Sequence, residues 1–195
     1  MRRFNIAMAV AFAGLMACSV SVKAITLEDI NILTKILPVG DDGRPLASAI
    51  PRETVSYTGP HKPGTILIST AERRMYFILP NNQAIKYGVG VGRPGFEWSG
   101  VKVISRKQEW PDWTPPAQML KRRPDLPRHM DGGINNPLGA RALYLGSSLY
   151  RIHGSNEPQT IGQAVSSGCI RMTNEDIIDL FERAHIGTKV VVLRQ

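Results

Sequence analysis

The sequence predicts a mostly β domain with one or two helices packed against the sheet. Three observations carry that prediction. Short runs rich in β-branched and apolar residues recur along the chain from residue 65 onward, each closed by turn residues. Only one segment of that region, around Ile177, Leu180, Phe181 and Ala184, shows a helical period with stop and start signals at its ends. A long stretch between the strands, residues 107–141, holds six prolines and no period at all.

The elements follow in order. TILIST (65–70), MYFIL (75–79) and AIKYGVGVG (84–92) are separated by AERR and PNNQ and read as an antiparallel meander. VKVISR (101–106) and ALYLG (142–146) add strands, and LYRIHG (149–154) follows after a Ser-Ser turn. Thr173 or Asn174 caps a helix, Gly187 stands where it would end, and TKVVVL (188–193) makes a last strand.

The N-terminal part reads differently. Arg2 and Arg3 precede an apolar stretch over residues 5–17, too short to cross a bilayer comfortably, and Val22 and Ala24 place small residues before a cut after Ala24. Residues 1–24 are therefore expected to be a secretory signal peptide. LMAC (15–18) also fits a lipoprotein box with Cys18 as the lipid-bearing residue. Residues 25–60 are expected to form a linker or surface strap, with a short helix over 26–37, and the folded domain is expected over 61–195.

Of 24 basic residues, Arg2, Arg3 and Lys23 fall in the signal, leaving 21 against 16 acidic residues and a net charge of +5. That balance suits a polyanionic envelope surface. There is no basic helix and no stacking-aromatic pattern, so no nucleic acid is expected. GVGRPG (90–95) matches a dinucleotide fingerprint in letters, but no helix pattern follows it. No metal motif is present, and His61, His129 and His185 read as surface or capping residues.

With Cys18 removed or lipidated, Cys169 has no partner for a disulfide. An unpaired thiol in an exported protein is either buried and inert or kept for its chemistry. His153 ends an apolar run 16 residues earlier. A thiol needs a neighbouring imidazole to become a nucleophile, and that imidazole needs its other nitrogen held, for which a carbonyl near Gly154 serves. Ser167, Gly168 and Cys169 can bend so that their N–H groups converge as an oxyanion hole. Arg171 leaves the strand on the same side as Cys169, where it either holds a substrate carboxylate or forms a structural ion pair.

The stretch IHGSNEPQTIGQAVSSGCIRMTNEDIIDLF (152–181) closely resembles the signature of the L,D-transpeptidase catalytic domain (YkuD-like), in its ErfK/YbiS/YcfS/YnhG group. The resemblance extends upstream through STAERRMYFI, YGVGVGRPG, WPDWTPPAQML and GGINNPLGARALYLG, from about residue 62 to 193. It implies a β-sandwich or barrel with one or two packed helices and a long Pro-rich active-site loop. It implies that Cys169 is the nucleophile, that His153 accepts and returns the proton, and that the Gly154 carbonyl orients His153. It further implies attack on the diaminopimelate–D-Ala bond of a peptidoglycan tetrapeptide stem, with release of D-Ala. The acyl group would pass to an amine of another stem or of an envelope protein, an outer-membrane lipoprotein among them. Carbapenems would acylate the same thiol. Trp113, Tyr150 and Arg171 are the candidate substrate contacts. No cofactor and no metal are expected, and the protein is expected to act as a monomer in a Gram-negative periplasm. A hydrolase on the same site and a non-catalytic wall-binding protein are the other readings. FEWSGVKV (96–103) departs from the Thr-Pro-x-Gly that many members carry, which leaves the rim contacts open.

Overall fold

The structure, a computed structural model, describes residues 50–194. The signal peptide, the lipoprotein box and the helix expected over 26–37 lie outside the described residues. Among the described residues, eleven strands and two α-helices follow one another. They are β1 (Glu53–Ser56), β2 (Ile66–Ser69), β3 (Arg74–Leu79), β4 (Gln83–Gly88), β5 (Val91–Gly92), β6 (Gly100–Glu109), α1 (Ala117–Arg122), β7 (Arg141–Leu145), β8 (Arg151–His153), β9 (Ala164–Ser166), β10 (Ile170–Arg171), α2 (Asn174–Arg183) and β11 (Lys189–Leu193). Nine strands form one sheet in the order β1-β4-β3-β2-β11-β6-β7-β8-β10, and β5 pairs with β9 in a second.

The meander β2–β3–β4 is antiparallel as the turns require. Asn81 and Asn82 take φ of 60° and 55° at the β3–β4 turn, a left-handed conformation that asparagine tolerates better than most residues. The run VVV in β11 is buried throughout, because β11 lies inside the sheet, parallel to β2 and antiparallel to β6. Strand β6 shifts register between Ile104 and Arg106. Its first half pairs with β11 and its second with β7, so the irregularity passes the sheet from one neighbour to the other.

Helix α2 starts where its cap was read: the Thr173 hydroxyl accepts from the Asp176 N–H at 3.2 Å. Ile177 and Leu180 are fully buried against a core that includes Ile104, Leu143, Ile152, Ile170 and Met172. The helix ends at Arg183, earlier than Gly187, which instead turns the chain into β11 with φ of 92°. Two further differences concern the edges. The sheet starts before His61, since Glu53–Ser56 pairs with β4 as an edge strand. The Pro-rich stretch is not without structure: β6 runs into it, and α1 lies at its centre.

Candidate active site

Strands β8 and β10 run parallel, with Ile170 opposite Ile152 and Arg171 opposite His153. Ile152 and Ile170 face the core. Side chains alternate along a strand, so His153, Arg151, Arg171 and Cys169 share the opposite face. The register that sets Arg171 opposite His153 carries Cys169 opposite Arg151, diagonal to His153 on that face. Cys169 is half-buried in the bend between β9 and β10, and its Sγ donates to the Leu149 carbonyl at 3.7 Å.

His153 is buried, and its Nδ1 donates to the Gly154 carbonyl at 2.6 Å. A carbonyl only accepts, so the proton sits on Nδ1 and the Nε2 lone pair is free. Gly154 itself is fixed: its N–H donates to the Arg141 carbonyl at 3.0 Å. Its missing side chain also matters, because a Cβ there would collide with Asn174 Oδ1, which accepts from the Ala140 N–H at 2.9 Å.

Burial pushes the His153 pKa down to about 3, with the charges of Arg171 and Arg151 acting the same way against the Gly154 hydrogen bond. Burial pushes the Cys169 thiol up, opposed by Arg151 and Arg171. Both groups are therefore neutral at pH 7. The resting site holds a protonated thiol and a neutral imidazole on one strand face rather than a preformed ion pair.

The bend that carries Cys169 is pinned from several sides. Ser166 Oγ donates to the Cys169 carbonyl at 2.6 Å and accepts from the Gly168 N–H at 3.1 Å. The Gly168 N–H is thus already engaged, which corrects the expectation that it joins an open oxyanion hole; the Ser167 and Cys169 N–H groups remain as the expected donors. The Ser167 hydroxyl accepts from Arg93 at 3.2 Å. Gly168 has φ of 105°, and a Cβ there would lie 2.6 Å from the Tyr150 ring.

The rim residues divide. Tyr150 stacks on Trp98 with centroids 4.5 Å apart and planes 9° from parallel, beside Gly168. Arg171 pairs with Glu157 at 2.9 Å, so it already has a carboxylate. Trp113 is buried and bridged to Met130 by two backbone hydrogen bonds of 2.8 Å. It anchors the loop; Trp110, exposed and at φ of 40°, is the freer indole. Trp98, Arg151 and Ser166 were not singled out in the sequence, although Trp98 lies in the stretch that departs from the common motif. For a metal, the described residues offer Asp112, His129 and Asp131, whose ligand atoms lie within 4.8 Å of one another on the exposed loop. His129 Nε2 there already meets Asp131 at 3.1 Å.

The model of the L,D-transpeptidase catalytic domain (YkuD) matches residues 63–192. This chain belongs to that family. It is 39% identical over 137 residues to the probable L,D-transpeptidase ErfK/SrfK of Escherichia coli K12, covering 67% of this chain and 44% of that protein. It is 40% identical over 134 residues to the probable L,D-transpeptidase YbiS of the same strain, covering 64% of this chain and 43% of YbiS. The chain therefore spans under half the length of these relatives. Among solved structures, the Enterococcus faecium L,D-transpeptidase catalytic domain acylated by ertapenem shares the fold, with a TM-score of 0.52 at 19% identity, covering 69% of this chain and all of that one. A Brucella melitensis crystal structure described as a probable carnitine operon oxidoreductase is 44% identical, with a TM-score of 0.50 over 74% of this chain and 94% of that one. Here the glycine run at 90–95 forms β5 and a turn, with no helix start to receive a pyrophosphate. Among the described residues no helix is long and apolar enough to cross a membrane.

Proposed function

We propose that the protein is a cysteine acyltransferase of the bacterial cell envelope, an L,D-transpeptidase acting on peptidoglycan stem peptides. The observation that carries the reading is the His153–Gly154 hydrogen bond of 2.6 Å, with Cys169 on the same strand face. It frees Nε2 as a base toward the thiol.

Nε2 takes the thiol proton as sulfur attacks the carbonyl between the third residue of the stem and its terminal D-Ala. Negative charge then develops on that carbonyl oxygen, and the Cys169 N–H donates to it. Collapse breaks the C–N bond, and His153 returns its proton to the departing D-Ala amine. The thioester is next attacked by an amine of a second stem or of an envelope protein, whose surplus proton passes to His153 and back to sulfur. The neutral resting pair suits this cycle, because sulfur is protonated until a carbonyl is in place and side reactions of a thiolate are suppressed.

Tetrapeptide stems incubated with the full chain, with products read by mass spectrometry, test the reading. Cross-linked stems joined through their third residues, with free D-Ala, support it. Tripeptides alone make the enzyme a carboxypeptidase on the same site. Unchanged stems, or turnover retained in Cys169→Ala, refute it.

A further inference from the structure

We propose that Trp98 is a positioning residue. Its indole N–H holds the Gly168 carbonyl, and so keeps the Cys169 N–H at the other end of the same peptide plane aimed at the developing oxyanion. The inference rests on the acyl-transfer reading above. Trp98 Nε1 donates to the Gly168 carbonyl at 2.8 Å, from 70 residues away in the chain. A trans peptide is planar, so its C=O and N–H point in opposite directions and fixing one fixes the other. The fixing is needed at this place. Gly168 lacks a Cβ and sits at φ of 105°, where glycine turns with little steric cost, so the peptide it shares with Cys169 is free to swing.

The groups on either side are already held. Ser166 Oγ engages the Gly168 N–H and the Cys169 carbonyl. The Gly168 carbonyl is the handle between them, and the indole takes it. The indole is held in turn, stacked on Tyr150 at 4.5 Å, with the Lys102 ammonium 5.5 Å from the Trp98 ring and 5.6 Å from the Tyr150 ring. Indole N–H only donates, so the contact has one sense. Trp98 does not touch the thiol by any of these contacts; it acts through the peptide.

The test compares two reactions of one thiol in the full chain. Acylation by a carbapenem passes through an oxyanion. Alkylation by iodoacetamide displaces iodide at a saturated carbon and forms none. Trp98→Phe keeps a ring on Tyr150 and removes the donor. Acylation should fall by about 10-fold to 10²-fold, at or below the cost of deleting an oxyanion donor outright. The alkylation rate and its pH profile should match wild type. Equal acylation rates in the two proteins would overturn the proposal, as would acylation and alkylation falling together, since Trp98 would then act on sulfur. If Trp98→Phe does not fold, replacing Trp98 with benzothienylalanine exchanges N–H for sulfur in a ring of nearly the same shape, and the same comparison decides. Wild-type protein that takes no acyl group at all removes the acyl-transfer reading and this proposal with it. Wild type that acylates while Trp98→Phe is unchanged removes only the role of Trp98.

Discussion

Gly168→Ala separates backbone strain from crowding at the bend that carries Cys169. The φ of 105° lies where L-residues are strained, at a cost of about 1–2 kcal/mol. The new methyl would also meet Tyr150 Cε1 at 2.6 Å and the Phe96 carbonyl oxygen at 3.2 Å. Tyr150 cannot turn aside without leaving Trp98, and an aromatic pair contributes about 0.5–1.5 kcal/mol beyond its buried area. Together these give a loss of about 1.5–3.5 kcal/mol, or a fall in Tm of roughly 3–14 °C. Gly187→Ala is the control, because Gly187 has a similar φ of 92° but open space around it. It should lose about 1–2 kcal/mol from strain alone and keep the wild-type acylation rate. Thermal melts by circular dichroism and acylation rates by intact mass measure both quantities. If Gly168→Ala melts no lower than Gly187→Ala and acylates at the wild-type rate, neither the crowding nor the fixed bend matters.

Three further outcomes are expected. Trp113→Ala should lower stability by about 3–5 kcal/mol, the cost of truncating a buried Trp, while leaving acylation per folded molecule unchanged; a raised KM without a change in Tm would return Trp113 to the substrate wall. Asn136 is 1% exposed and donates to the Pro111, Met130 and Asp131 carbonyls at 3.0–3.3 Å while accepting from the Leu138 N–H at 2.8 Å. Asn136→Ala leaves buried partners unpaired and should cost about 2–4 kcal/mol, with faster proteolysis of residues 110–139; an unchanged melt would show the loop to be held elsewhere. His153 is kept below its unfolded pKa of about 6.5 by burial, down to about 3, so its contribution to stability is complete above pH 6.5 and lost as pH falls toward 3. The slope is at most about 1.4 kcal/mol per pH unit, and His153→Gln should flatten it; Asp179, held below the usual carboxylate range by its bond to Arg183, adds loss in the same direction, so the difference between the two proteins is what tests His153.

Much of the site was legible because its signals are local. Cys169 and His153 follow from a lone thiol and a histidine ending an apolar run, and the Gly154 carbonyl is one residue from the ring it holds. The meander and helix α2 were marked by turn residues and a capping threonine beside them in sequence. What stayed hidden depends on distant partners. Strands β9 and β10, of three and two residues, are too short to show a period and exist only through their neighbours. Glu53–Ser56 lies in a Pro- and Gly-rich stretch and becomes a strand because β4 offers an edge. Trp98 meets Gly168 across 70 residues, and Glu157 meets Arg171 across 14, contacts that no spacing rule reaches. The two indoles of the Pro-rich loop could not be told apart until the bridge to Met130 placed Trp113 inside.

The central claim is that Cys169 is acylated with His153 as its base. Intact-mass spectrometry of the full chain exposed to a carbapenem, followed by peptide mapping, addresses it most directly. The account predicts one adduct on the peptide carrying Cys169, none in Cys169→Ser, and acylation slowed by about 10²–10⁴-fold in His153→Ala. No adduct on wild type, an adduct on another residue, or wild-type kinetics in His153→Ala would contradict it.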